Sequence, residues 1–150
     1  MMRSRVAMLL VLGVLSGCAA NEPIRPTNQA AARLADVDWS TAEQVEVDLS
    51  DYAFSPANVV LRQGQPYQLH LVNRSAGEEH TFSAPDFFRS VDLRPGAAAD
   101  QALAAGGEVV LAEGETADLY LVPLQAGRFD LECTEPFHPM FGMTGEIVVQ

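Results

Sequence analysis

The chain has 150 residues, of which 48% are hydrophobic, so it can supply one domain with a substantial core. It carries 9 basic and 20 acidic side chains, which gives a formal net charge of −11 at pH 7. Proteins that bind nucleic acids normally present an excess of basic groups, so this balance argues against a nucleic-acid partner.

The first 17 residues have the pattern of an export signal. Two arginines precede an apolar run that is too short to span a bilayer as a stable helix. The sequence Leu15-Ser16-Gly17-Cys18 follows, and it resembles the lipobox of bacterial lipoproteins, in which the signal is cut before the cysteine and the thiol is lipidated. We therefore predict a signal peptide over residues 1–17 and lipidation of Cys18. The protein would then be anchored to a membrane of the bacterial cell envelope and face the periplasm, and Ala19 is similar to an outer-membrane sorting signal.

Residues 18–43 follow this anchor and show little regular pattern. Their prolines and polar residues predict a flexible tether, with a turn or two of helix around residues 29–34. We place the folded domain at residues 44–150.

Alternation of apolar and polar residues begins near Val45 and predicts β-strands. Extended segments are predicted around residues 45–49, 59–61, 67–72, 80–82, 108–111, 116–122, 128–133 and 145–149. The Ala-rich stretch of residues 95–105 interrupts them as an insertion, either a short helix or a loop. Seven or eight short strands separated by Gly and Pro turns predict an all-β sandwich rather than a βαβ fold.

The densest group of metal-binding side chains lies between the last two predicted strands. If Cys18 is lipidated, Cys133 has no cysteine with which to pair, so it is buried and inert, reactive or bound to a metal. His138, Met140 and Met143 follow Cys133 within one loop. A thiolate and an imidazole suit copper or zinc, and a thioether favours copper.

A third strong donor must come from His70 or His80. His80 begins an extended segment after a turn-rich stretch, so it is expected at a strand end beside the Cys133 loop. His70 lies in the middle of a strand, out of phase with its apolar residues, and is expected to face away from the core. Two histidines and one cysteine with a long axial methionine form the geometry of a blue-copper electron-transfer site.

The pattern of His80-Thr81-Phe82, then Cys133-x4-His138-x4-Met143 and a closing strand, resembles the cupredoxin family. The resemblance implies a cupredoxin-like Greek-key β-sandwich with one copper ion that alternates between Cu(I) and Cu(II). It also implies that His80, Cys133, His138 and Met143 bind this ion and that Thr81 braces the thiolate.

The loop departs from the common family pattern at two positions. Phe137 precedes His138 where a small residue is frequent, and Pro139 follows it. Met140 is a rival axial ligand, although Met143 is favoured because it abuts the closing strand. Phe137, Pro139, Met140 and Phe141 form an apolar collar that is either a docking patch or loop packing.

One-electron transfer in the cell envelope is the function that these features favour, with a redox protein such as a cytochrome or a terminal oxidase as partner. The alternatives are a periplasmic copper carrier or copper-resistance protein and a metal-free cupredoxin-like module. Catalysis is not expected, because only His70 would remain for a further metal centre. Acidic residues near the collar could attract a basic partner, namely Glu78, Glu79, Asp86, Glu132 and Glu135.

Overall fold

The computed structural model describes residues 23–150, so the predicted signal peptide of residues 1–17 and the predicted lipidation site Cys18 lie outside the described residues. In this part of the chain, ten strands form two five-stranded sheets. The strands are β1 (Glu43–Ser50), β2 (Ala53–Ser55), β3 (Asn58–Leu61), β4 (Tyr67–Asn73), β5 (His80–Ser83), β6 (Val91–Leu93), β7 (Glu108–Leu111), β8 (Thr116–Pro123), β9 (Gly127–Glu132) and β10 (Thr144–Val149). One sheet has the order β2-β1-β4-β8-β6 and the other the order β3-β10-β9-β5-β7.

The two sheets enclose one hydrophobic core. Leu49 and Leu69 project into it from the first sheet, and Phe82 and Ile147 project into it from the second. All four side chains are fully buried, while their neighbours along β1 and β10 are partly exposed. This period of two is what the sequence shows, and the predicted all-β sandwich is confirmed.

The strand count differs from the predicted seven or eight because two of the ten strands are only three residues long. β2 pairs with the end of β1, and β6 pairs with β8 at the edge of the same sheet. Strands this short are too brief to establish an alternating pattern, so the sequence does not reveal them.

Two strand pairs are parallel, β1 with β4 and β3 with β10, and the other pairs are antiparallel. Parallel neighbours cannot be joined by a tight turn, so the chain must cross between the sheets to form them. This connectivity brings β5, from the middle of the chain, beside β9, which lies about fifty residues later.

The segment between β5 and β7 contains two short helices, α2 (Pro85–Arg89) and α3 (Ala97–Ala104). The Ala-rich stretch of residues 95–105 is therefore a helix, the first of the two predicted alternatives. Gly107, just before β7, has a φ of +111°, and a Cβ atom there would lie 2.5 Å from Cα of Pro85. The close approach of the two backbones requires glycine at this position.

The segment before β1 also contains a helix, α1 (Asn28–Ala35), which packs beside β6. Thr27 caps it, since the side-chain oxygen of Thr27 accepts a hydrogen bond from the Ala30 amide at 3.1 Å. The apolar Ala30 is buried, and Arg33 forms a bidentate ion pair with the nearly buried carboxylate of Asp92.

Residues 23–43 thus differ from the flexible tether predicted over residues 18–43, whereas α1 coincides with the turn or two of helix expected around residues 29–34. The amide of Ile24 donates to the carbonyl of Leu103 at 2.8 Å, and the ring of Trp39 packs edge-on against Tyr120. The short, weakly periodic segment is ordered by these tertiary contacts rather than by its own helix propensity. Within residues 23–150, no helix has the length and apolar character of a membrane-spanning segment.

Candidate metal centre

The strand register explains why residues 80 and 133 meet. Ser83 in β5 lies opposite Glu132 in β9, and the two strands run antiparallel. His80, at the start of β5, therefore lies beside the loop that follows β9, and Cys133 is the first residue of that loop. The same loop carries His138 and Met143 before the chain enters β10.

Three of the predicted ligands converge within this arrangement. The Nδ1 atoms of His80 and His138 are 3.2 Å apart, and they lie 3.9 Å and 3.4 Å from Sγ of Cys133. All three donor atoms lie within 4.8 Å of one another. His80 and Cys133 are completely buried, whereas His138 is partly exposed.

The triangle has the size that a metal ion requires. Bonds of about 2.0 Å to nitrogen and about 2.3 Å to sulfur, at trigonal angles, place two nitrogens about 3.5 Å apart and each nitrogen about 3.7 Å from sulfur. Two imidazole nitrogens and a thiolate, with a thioether nearby, are donors that suit copper. The residues present therefore fit one copper ion.

The protonation state of His80 is consistent with a ligand role. Burial and, secondarily, the charge of His138 lower the pKa of His80, and Glu78 and Asp51 act in the opposite direction. A lowered pKa favours the neutral imidazole, which has a lone pair available for a metal. Nε2 of His80 is buried without a hydrogen-bond partner in the described part of the chain.

Thr81 lies against the cysteine sulfur, as expected for a residue that braces a thiolate. Its backbone amide donates towards Sγ of Cys133 at 3.4 Å, and its hydroxyl lies 3.7 Å from the same atom. The Thr81 hydroxyl also accepts from the backbone amide of Thr134 at 2.6 Å and contacts the Thr134 hydroxyl at 2.9 Å. Hydrogen bonds to the thiolate stabilise a charge that would otherwise be costly to bury.

Backbone hydrogen bonds fix the shape of the ligand loop. The amide of Cys133 donates to the carbonyl of Met143 at 3.1 Å, and the amide of Met143 donates to the carbonyl of His138 at 3.0 Å. The side chain of Met143 is completely buried, whereas that of Met140 is 78% exposed. This difference favours Met143 over Met140 as the axial ligand, and the choice stays a prediction.

The departure at Phe137 has a visible structural consequence. Phe137 has a φ of +72°, a left-handed conformation that glycine adopts readily and other residues adopt at a cost. Its side chain is 67% exposed, and Phe141 is 64% exposed. With Pro139 and Met140, these residues form the apolar collar beside His138 in the ligand loop.

His70 takes no part in the centre, as predicted. It lies in β4 opposite Asp118 of β8, and its Nδ1 is 2.7 Å from a carboxylate oxygen of Asp118. Burial is the largest single effect on the pKa of Asp118 and raises it, but the hydrogen bonds from His70 and Gln68 together outweigh burial and lower this pKa. His70 therefore belongs to a polar cluster on the outer face of the first sheet.

Three residues around the centre, namely Tyr52, Glu108 and Thr134, were not predicted from the sequence. Tyr52 packs edge-on against the His138 ring with centroids 4.8 Å apart, and Thr134 and Glu108 extend the hydrogen bonds of Thr81. Tyr52 lies in the turn between β1 and β2 and Glu108 begins β7, so only the folded chain brings them near the ligands. Thr134 directly follows Cys133, and this adjacency was the one available signal.

The sequence profile of the cupredoxin-like domain family matches residues 6–149. The chain belongs to the cupredoxin family. A comparison with curated protein sequences gives no match.

Solved structures share the fold of this cupredoxin. The reduced auracyanin of the photosynthetic bacterium Roseiflexus castenholzii superposes with a TM-score of 0.53 and 17% identity over 73% of this chain and 98% of its own. Auracyanin B gives a TM-score of 0.54 and 21% identity, covering 76% of this chain and 93% of its own. The multicopper oxidase McoA of Aquifex aeolicus gives 0.55 and 15% identity over 76% of this chain but only 30% of its own. At these identities the likeness concerns the fold.

Proposed function

We propose that this cupredoxin holds one copper ion between His80, Cys133 and His138, with Met143 as the fourth ligand, and that it transfers single electrons. The convergence of two imidazole nitrogens and one thiolate within 4.8 Å carries the proposal. An ion bound there would accept or release one electron between Cu(I) and Cu(II), and the protein would supply fixed donors and a largely dry environment.

The surroundings of the ligands also support a one-electron role. Most of the centre is buried, but His138 reaches the surface beside the exposed collar. An electron can therefore pass through the His138 edge while water stays away from the sulfur. The auracyanins, whose fold is similar, include one that was crystallised in a dithionite-reduced state.

The test is the visible spectrum of the copper-loaded domain. We expect an intense thiolate-to-copper charge-transfer band, and we expect Cys133→Ser to abolish it while the fold persists. His70→Gln is the matched control, because His70 is a histidine outside the centre, and it should leave the band unchanged. A wild-type protein that stays colourless with Cu(II) but binds Cu(I) would contradict electron transfer and support a copper carrier.

We further propose that the collar is where a basic redox protein, such as a cytochrome or a terminal oxidase, docks. Exposed apolar side chains of the collar lie on both sides of His138 in the loop, and exposed carboxylates of Glu78 and Glu132 lie close to the ligands in sequence. Complementary charges accelerate encounter most strongly at low ionic strength. Electron-exchange rates with a basic partner should therefore fall as salt is added, and Phe141→Ser should slow exchange without changing the spectrum. Exchange rates that are unaffected by added salt and by Phe141→Ser would refute this docking surface.

We place the protein in the bacterial cell envelope, held by a lipid on Cys18. The proposal rests on the signal pattern of residues 1–17 and the lipobox-like sequence that ends at Cys18. Expression of the full chain in a bacterium, followed by membrane fractionation and mass spectrometry of the amino terminus, tests it. Cys18→Ala should release the protein into the soluble fraction, and an unmodified Cys18 in the wild type would refute the anchor.

A further inference from the structure

A chain of hydrogen bonds leads from the cysteine sulfur to a carboxylate outside the ligand set. The hydroxyl of Thr81 lies 3.7 Å from Sγ of Cys133 and 2.9 Å from the hydroxyl of Thr134. The hydroxyl of Thr134 in turn donates to Oε2 of Glu108 at 2.7 Å. We call this chain, Cys133-Thr81-Thr134-Glu108, the relay.

Which group donates at each contact of the relay follows from the number of protons that each group can donate. An ionised carboxylate can only accept, so the single hydroxyl proton of Thr134 is committed to Glu108. At the contact between the two hydroxyls, Thr81 must then be the donor. The Thr81 oxygen also accepts from the backbone amide of Thr134 at 2.6 Å, which leaves its one proton to be divided between Thr134 and the sulfur.

Distance decides how that proton is divided. The Thr134 oxygen is 2.9 Å from the Thr81 oxygen, a normal hydrogen-bond length, whereas the sulfur is 3.7 Å away. The proton of Thr81 is therefore drawn mainly to Thr134. The sulfur then keeps the backbone amide of Thr81, at 3.4 Å, as its principal donor from this residue.

We propose that Glu108 sets the direction of the relay and thereby weakens hydrogen bonding to the Cys133 thiolate. The inference rests on the proposed copper site. A thiolate with fewer hydrogen bonds is the stronger electron donor and favours Cu(II), so Glu108 would lower the reduction potential of the centre. Glu108 and Thr134 are positioning residues in this role, since neither contacts the sulfur in the described hydrogen bonds.

Variants of the copper-loaded protein separate the relay from a simple charge effect. Thr134→Val keeps the size of the side chain and the Glu108 charge but removes the acceptor that competes for the Thr81 proton. Glu108→Gln replaces the carboxylate by an amide that can donate to Thr134, so the Thr134 hydroxyl no longer has to donate its proton to residue 108. The double variant, Glu108→Gln with Thr134→Val, shows whether Glu108 affects the reduction potential through Thr134. Glu132→Gln is the charge control, because Glu132 is exposed next to Cys133 and its side chain makes no hydrogen bond among the described residues.

Two quantities are measured, the reduction potential and the energy of the thiolate-to-copper band. For Thr134→Val we expect both to rise, with the Cu(I):Cu(II) ratio at a fixed potential increasing about three- to tenfold, as for one added hydrogen bond. Thr134→Ser keeps the hydroxyl and should therefore show the wild-type potential and band energy. Glu108→Gln should raise both quantities in the wild-type background, but in the Thr134→Val background it should change the potential only as much as Glu132→Gln does and leave the band unmoved.

The possible failures are distinguishable. If Thr134→Val leaves both the band and the potential unchanged, or if Glu108→Gln has the same effect in both backgrounds, the relay is refuted and Glu108 acts only as a surface charge. If the wild-type protein shows no thiolate-to-copper band at all, the copper site and the relay are refuted together.

Discussion

Asn73 connects the fold to the metal centre without touching a ligand. It ends β4 and is almost completely buried. Its side-chain amide donates to the carbonyls of Glu78 and Leu111 at 2.8 Å and 2.9 Å, and its oxygen accepts from the amide and the hydroxyl of Ser75 at 3.0 Å and 2.6 Å. The three hydrogen bonds to Glu78 and Ser75 close the turn that leads to His80, and the bond to Leu111 ties this turn to β7.

We expect Asn73→Ala to be strongly destabilising. It removes all four hydrogen bonds and takes the Asn73 partner from the Leu111 carbonyl and the Ser75 amide, whereas the Glu78 carbonyl can still accept from the Ser75 hydroxyl at 2.9 Å. At about 1 kcal/mol for each lost bond, with a further penalty for unpaired buried groups, the cost is about 3 to 5 kcal/mol. Urea unfolding of the metal-free protein, followed by the fluorescence of Trp39, measures it.

The copper affinity of the Asn73→Ala variant provides a second measurement. Because His80 follows the turn directly, Asn73→Ala should also weaken copper affinity and broaden the visible band in whatever fraction remains folded. Ser75→Ala is the graded control, since it loses only the Ser75 hydroxyl contacts and should cost about 1 kcal/mol. A destabilisation of Asn73→Ala below that of Ser75→Ala would refute the claim that the Asn73 amide organises the turn.

Three further substitutions test separate parts of the structure. Met143→Leu should shift the visible band and raise the reduction potential by removing a thioether, while Met140→Leu, at an exposed position, should change neither. Phe137→Gly should stabilise the metal-free protein by about 1 kcal/mol in urea because it relieves a left-handed conformation, and Phe137→Ala should give no such gain. Arg33→Met should lower the free energy of unfolding in the same assay, since it leaves the nearly buried carboxylate of Asp92 without its ion-pair partner, and no loss would mean that α1 contributes little.

Much of the sandwich is predictable because its strands follow a period of two. The long strands β1, β4 and β8 alternate clearly, and each was expected close to its observed place. The packing of residues 23–43 was not predicted, although a turn or two of helix was expected around residues 29–34, because α1 is short and is held by Asp92, a residue far along the chain, which no local pattern reveals.

The proposed ligands could be selected from the sequence for a different reason. Cys133, His138 and Met143 lie within one loop, so their spacing is visible in the sequence. His80 could be chosen over His70 because it begins an extended segment after a turn, whereas His70 lies in mid-strand and out of phase with the apolar residues. The groups that surround the ligands were not predictable in this way. Glu108 reaches the centre only because β7 pairs with β5, a non-local contact that depends on the register of the second sheet.

The way in which the donors are held bears directly on the choice between electron transfer and copper delivery. His80 is fixed by the pairing of β5 with β7, and the loop that carries Cys133 and His138 is closed by its own backbone hydrogen bonds through Met143. Fixed donors need little rearrangement between Cu(I) and Cu(II), which favours rapid electron exchange. If copper is bound as proposed, its release to another protein would require this same loop to open and break those bonds, so these constraints support the proposed electron transfer over copper delivery.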